Sequence, residues 1–460
     1  MRSCTLVLCL LVAAPALADE PGDWPMFNRD VRGSRYNDAE QLLRRDTAAG
    51  LRLLWTVPTP APVTATPVVR DAHVYVGDAA GTFYAIGRDG AIQWQTALGG
   101  GITASALVTA NRVIVGDISG VVHGLDRATG KIVWTLRPDA HPTAAIFGSP
   151  IAVGNDAIFG VASLEEQAAG DPSYPCCSSR GSVVRVRASD GSVVWQTFTI
   201  SDAERAAGAS GASVWSTPTW DADSGRLYVT TGNNFSTPTT GTSDSFIALD
   251  AASGAIVWVN QREGGDVWNY RYPPSDQNPD YDFGDSPQIY RLPSGRKVVG
   301  AGQKSGFYHV VDATTGVAVN QVQLEPGGTL GGLFADSAVA DGIVFANGSN
   351  WPTPFAAPPT SGALFALGGP DGTDTLWSFT TAGSPDLSGV AVTRELVVFQ
   401  SWLTGTVYVL DRCNGALLAS VPVGVAVSGP SIAGGRIYVG TGDPIGGTTP
   451  GGGIVALGLQ

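Results

Sequence analysis

RVIVGDISGVVHGLDRATGKIVW (112–134) and GRLYVTTGNN…DSFIALDAASGAIVW (225–258) follow one pattern. Each reads as an apolar strand, a small-residue turn, a second apolar strand, an Asp-x-x-x-Gly turn, and a third strand that closes on Trp. Short runs of β-branched and aromatic residues between turn formers are the signature of strands. The pattern recurs in HVYVGDAAGTFYAIGRDGAIQW (73–94), AIFGVASLEE…RGSVVRVRASDGSVVW (157–195), RKVVGAGQKSGFYHVVDATTGVAV (296–319), GIVFANGSNW…GALFALGGPDGTDTLW (342–377) and LVVFQSWLTGTVYVLDRCNGALLA (396–419). The turn glycines mark the register at Gly90, Gly130, Gly191, Gly254, Gly316, Gly372 and Gly415. Trp94, Trp134, Trp195 and Trp258 lie four residues beyond their glycine, and Trp377 lies five beyond Gly372.

A self-similar unit of this length points to a repeat architecture. The last copy, RIYVGTGDPIGGTTPGGGIVALGLQ (436–460), supplies two strands, and the missing third is LRLLWTV (51–57), closing on Trp55. Seven full units and one shared between both ends of the chain predict an all-β, eight-bladed β-propeller. Ring closure by terminal strands removes the open edges that a linear array would expose. Copies five and seven lack the closing Trp; where it is present, it is expected to anchor neighbouring blades. No domain boundary interrupts 19–460, only insertions at about 165–180, 200–213, 233–244 and 262–286.

Composition agrees. Gly 60 and Pro 30 in 460 residues exceed the usual share of turn formers, while 43% hydrophobic residues and 12 Trp exclude a disordered chain. The formal net charge of −13 excludes a nucleic-acid partner, because phosphate contacts need a basic surface. Met1-Arg2, the apolar run CTLVLCLLVAAPAL (4–17) and Ala16-Leu17-Ala18 read as a signal peptide, 1–18, for export to the periplasm or beyond. That run is too short to favour a membrane span, and no other stretch is long and apolar enough. Beyond it, Cys176, Cys177 and Cys413 remain. The neighbouring pair leaves a disulfide and two thiols both open, and no C-x-x-C-H haem motif occurs.

DWPMFNRDVRGSRYN (23–37), SLEE, YPCCSSRG, SVWSTP, TGNNFS, GDVWNYRYP, NPDYDFGDSP and VGAGQKSGFYHVVD resemble the eight-bladed quinoprotein alcohol dehydrogenases, polyvinyl-alcohol dehydrogenases in particular. That resemblance implies pyrroloquinoline quinone (PQQ), with hydride passing from the carbinol carbon to the quinone. It further implies a Ca²⁺ or lanthanide ion, an alcohol substrate that includes polymers, and a separate cytochrome c as acceptor. Trp215, outside the blade-closing register, matches the Trp that floors the cofactor. A hard cation wants oxygen ligands, and the matching candidates are Glu165 or Glu166, Asn233, and Asp280 with Asp282. Asp282 resembles the base that takes the alcohol proton, and Asp280 lies on its side of the chain if 280–282 is extended. Lys304 matches the residue that reaches the quinone oxygens. Arg180 and Ser213 are implied cofactor contacts, and Cys176-Cys177 the ceiling opposite Trp215. Unlike the methanol-dehydrogenase pattern, the Cys pair here follows Glu165-Glu166 within one blade. GGLFADS lacks an Asn-Trp pair expected on the substrate side. The rival reading is a non-enzymatic propeller scaffold, like the outer-membrane-assembly lipoprotein.

Overall fold

The computed structural model describes residues 22–271, 279–351, 359–443 and 451–459, so the expected signal segment and the middle of the last insertion lie outside them. Eight blades, each built on four antiparallel strands, follow one another around a ring; two gain a fifth strand, Ala144–Ala145 in blade three and Tyr36–Asn37, paired parallel, in blade seven. The second blade is representative: Leu107–Val108, Arg112–Gly116, Val122–Asp126 and Ile132–Leu136 pair in sequence order. The sequence pattern predicted three strands per blade, and the structure corrects this to four. The additional strand opens each blade, spans two to four residues, and contacts its counterparts in neighbouring blades around the axis. Two or three apolar residues carry too little periodicity to be read as a strand.

The eighth blade is shared as expected. Arg52–Thr59 pairs antiparallel with Gly452–Gly458, which pairs with Arg436–Thr441. Blade-end tryptophans bridge to the next blade through their indole N–H. Trp55 donates to the Arg88 carbonyl at 2.9 Å, Trp94 to Arg127 at 3.0 Å, Trp134 to Ala188 at 3.1 Å, and Trp377 to Arg412 at 3.1 Å. Each ring also covers the next blade's turn glycine. At Gly130, where φ is +70°, a Cβ would sit 2.4 Å from the Trp94 ring. The glycine there supplies both the left-handed turn and the room for the indole.

Residues 22–37 run beneath the ring as a strap. Trp24 exchanges backbone hydrogen bonds with Val69, and the carbonyls of Pro25, Val31, Arg32, Ser34 and Arg35 accept from Val108, Trp220, Ile289, Val339 and Val392. The Asn37 side chain donates to the Ile432 carbonyl at 2.7 Å. Seven of the eight blades are thereby tied to one segment. Arg35, wholly buried, donates to the carbonyls of Val390, Phe27 and Pro430. Above the strap an axial cavity of about 220 Å³ runs from Phe27 to Phe147, Trp215 and Phe334. Among the described residues no helix is long and apolar enough to cross a membrane.

Candidate functional site

On the other side of Phe147, Trp215 and Phe334 lies a second cavity of about 270 Å³, at the mouth of the ring. Its walls come largely from the blade-three and blade-four insertions and from the turn of blade five that carries Lys304. The insertions are cross-tied: Tyr270 N–H donates to the Glu166 carbonyl at 3.1 Å, and Arg271 donates to the carbonyls of Ala169 and Tyr174.

Trp215 sits off the blade-closing register and lines both cavities. The Lys304 ammonium lies 5.5 Å from the Trp215 ring centroid, within cation–π reach. It also contacts Asp280 Oδ1 at 3.0 Å and Asp282 Oδ2 at 3.3 Å. One carboxylate oxygen each from Glu166, Asp280 and Asp282 falls within 4.8 Å of the others. Asp280 reaches this cluster differently from the expectation. The segment is not extended, because Asp280 adopts a left-handed φ of +62°, a conformation that Asp tolerates. Gly232 allows Asp282 to come close, since a Cβ there would lie 3.1 Å from its carboxyl carbon.

Asn233 completes the arrangement. Its N–H donates to Asp282 Oδ1 at 2.7 Å, and its side-chain amide donates to the carbonyls of Asn234 and Trp268. Those two bonds fix which end of the amide is oxygen, and Asn233 Oδ1 is left buried without a partner. Glu166 Oε1 and Asp280 Oδ2 are likewise buried and unpartnered. Orphaned buried oxygens are costly unless something satisfies them. A donor set of carboxylate and amide oxygens suits a hard cation such as Ca²⁺ or a lanthanide and not a thiophilic one. The residues present therefore fit the implied metal.

Electrostatics point the same way. Burial, reinforced by Asp282 and opposed by Lys304, pushes the Glu166 carboxyl up to about 8. Burial also pushes Asp280 well up, against the pull of Lys304. Burial works against the Lys304 ammonium, but Asp280, Asp282 and Glu166 outweigh it and raise its pKa. One ammonium faces three carboxylates, so the cluster has room for more positive charge.

The other predicted residues separate clearly. Ser213 lines the cavity with its hydroxyl buried and unpartnered. Glu165, although adjacent to Glu166, turns away: its carboxylate accepts from Ser178 N–H at 2.9 Å, Ser179 N–H at 2.6 Å and Tyr174 O–H at 3.0 Å. Cys176 and Cys177 are disulfide-bonded. They are not among the residues that line the cavity; the Asn269 amide lies 3.8 Å from the Cys176 sulfur. Arg180 is not among the residues that line the cavity. Its guanidinium stacks 3.7 Å over Phe198, donates to the Ile200 carbonyl and pairs with Asp202.

Sequence reasoning missed Asp266, whose carboxylate accepts the N–H of Tyr281 at 2.8 Å and of Asp280 at 3.4 Å and so pins the acidic turn. Its signal was an acid between Gly265 and Trp268 in GDVW, a motif quoted only for its likeness. Asp244 was missed as well; it is fully buried beside Asp266, and burial pushes its carboxyl well up. Phe147, Phe235, Trp268, Tyr270 and Phe334 supply apolar walls; all but Phe147 stand in motifs quoted above, which gave no role to the aromatic residue itself.

Fold and site together define an eight-bladed propeller with a buried cluster of carboxylate and amide oxygens at its mouth. Residues 42–267 match the family model described as outer membrane protein assembly factor BamB. Polyvinylalcohol dehydrogenases of Pseudomonas sp and of Sphingopyxis sp. (strain 113P3) are 25% and 26% identical over 92% and 94% of this chain, and 73% and 74% of their own lengths. Quinohemoprotein alcohol dehydrogenase from Comamonas testosteroni superposes with a TM-score of 0.76 at 21% identity, covering 96% of this chain and 81% of that one. A europium-containing methanol dehydrogenase gives 0.77 at 17% identity, over 96% and 98%. The chain is thus similar in sequence to polyvinylalcohol dehydrogenases and similar in fold to these solved alcohol and methanol dehydrogenase structures.

Proposed function

We propose that this chain is an exported, PQQ-dependent dehydrogenase that oxidises secondary alcohols, polymeric ones included, to ketones. The observation that carries this reading is the set of unpartnered oxygens of Glu166, Asn233 and Asp280 gathered around Lys304 beside Trp215. PQQ would supply the two-electron acceptor for the alcohol. Trp215 offers the flat face against which a planar ring system buries area. Glu166, Asn233, Asp280 and Asp282 would hold the cation, with Ca²⁺ as the expected ion. Asp282 takes the alcohol hydroxyl proton at a carboxylate oxygen. Lys304 offsets negative charge that develops beside it during the reaction. Ser213 faces the same space with a free hydroxyl. Electrons leave to a separate cytochrome c, for which an acidic surface suits a basic carrier.

The test is Asp282→Asn in protein reconstituted with PQQ and Ca²⁺. Turnover of a secondary alcohol should fall by about a thousandfold or more while PQQ remains bound; unchanged turnover would remove Asp282 from the chemistry. Comparing polyvinyl alcohol with short secondary and primary alcohols defines the substrate class, and higher activity with La³⁺ than with Ca²⁺ would overturn the assigned ion.

The match to the assembly-factor model favours a second reading, a propeller scaffold without catalysis. A fold alone does not choose between the two. A scaffold has no need of a buried, cation-poor carboxylate cluster beside an aromatic floor. Absorbance titration with PQQ and Ca²⁺ separates them, since absence of saturable binding would leave the scaffold.

A further inference from the structure

We infer that Glu165 is a positioning residue for the disulfide-bearing loop behind the mouth, and that it divides labour with Glu166, which faces the carboxylate cluster. The inference rests on the proposed cofactor site for its consequence but not for its geometry. Glu165–Ala168 form a single helical turn. Consecutive residues on a helix point about 100° apart, so one neighbour enters the cavity and the other is directed behind it.

Behind it, Glu165 is wholly buried. Both its oxygens receive the Ser178 N–H at 2.9 Å, Oε2 also receives the Ser179 N–H at 2.6 Å, and Oε1 receives the Tyr174 hydroxyl at 3.0 Å. His141 Nε2 stands 3.6 Å from Oε1 and 3.0 Å from the Ser178 hydroxyl. These donors bracket Cys176-Cys177 on both sides in sequence, from Tyr174 to Ser179. A buried carboxylate held by several N–H and O–H donors fixes the loop that supplies them. No oxygen of Glu165 remains unpartnered, whereas Glu166 Oε1 does. The same loop meets the cavity wall through Asn269 and Arg271, which reach the Cys176 sulfur and the Tyr174 carbonyl. Losing the Glu165 carboxylate therefore loosens the disulfide turn and, through it, the wall that carries Trp268 and Tyr270.

The experiment compares Glu165→Gln with Glu166→Gln in metal-free, cofactor-free protein. Disulfide reduction by a phosphine is followed as thiol release, and Tb³⁺ binding is followed by luminescence. Glu165→Gln should speed reduction about tenfold and leave Tb³⁺ affinity within about threefold, a size expected for one lost charged acceptor. Glu166→Gln should lower Tb³⁺ affinity at least tenfold and leave the reduction rate unchanged. The inference is overturned if Glu165→Gln leaves reduction unchanged, or if it abolishes Tb³⁺ binding as Glu166→Gln does. Should Glu165→Gln not fold, Tyr174→Phe decides: reduction a few-fold faster supports the anchor, and an unchanged rate overturns it. Because thiol release needs no PQQ, its outcome is independent of whether the proposed dehydrogenase activity holds.

Discussion

At Lys304 a single ammonium serves two masters, the aromatic floor and the acidic turn. It is the only cation that reaches the cluster among the described residues, contacting both Asp280 and Asp282. Removing one partner of a buried ion pair leaves uncompensated charge and typically costs about 3 kcal/mol or more. Lys304→Met should therefore lower the thermal midpoint of the metal-free protein, and added Ca²⁺ should recover much of the loss by supplying the missing charge. A midpoint insensitive to Ca²⁺ in this variant would argue against a cation at the cluster. A pH effect arises elsewhere, at Glu325, whose carboxyl is raised by burial to about 7. A folded-state value above that of the unfolded chain means the native form holds the proton more tightly. The resulting stabilisation is present at low pH and disappears as pH rises from the unfolded carboxylate range to about 7. Glu325→Gln should flatten the pH dependence of the urea midpoint over that window relative to wild type.

Turns and the strap act at the level of elements. Gly130 combines a φ of +70° with an indole against its Cα, so Gly130→Ala meets strain and a clash together. A loss of about 2 kcal/mol is expected from the two effects, read as a lower unfolding midpoint with unchanged Tb³⁺ affinity. The strap is more consequential, because Trp24 to Asn37 ties seven blades with backbone and side-chain hydrogen bonds. Arg35 keeps its charge in a buried setting with help from Asp336 and Asp285, although burial lowers its pKa to about 10. Arg35→Met orphans the carbonyls of Val390 and Pro430, leaves Phe27 with only the Trp24 indole donor, and should cost about 3 kcal/mol. The carboxylate cluster lies on the opposite side of the aromatic partition, so Tb³⁺ binding to the folded variant should be unaffected. The motif at 23–37 was legible only as a likeness. Its role as a strap was hidden because its partners are scattered over the whole length of the ring.

For the whole molecule, closure is the controlling event. Blade eight exists only when Arg52–Thr59 finds Gly452–Gly458, and Trp55 then bridges to the Arg88 turn of blade one. Trp55→Ala should cost about 3 kcal/mol, with lost cooperativity of unfolding as the sign that closure is weakened. The spacing of Gly and Trp determined the number of blades, the shared closing blade and the role of the anchors, because each depends on residues close in sequence that repeat. The chemistry of the cluster was readable for a related reason: acids, an amide and a lone Lys stand in turns that a ring must bring to one mouth. Tertiary structure alone decided which of Glu165 and Glu166 turns inward, and that Arg180 is held by Phe198 and Asp202. It alone revealed that Asp266 pins a left-handed Asp280, and that a fourth short strand lines the axis. Periodic local pattern fixes an architecture, whereas the direction of a single side chain is settled by partners that lie tens or hundreds of residues away.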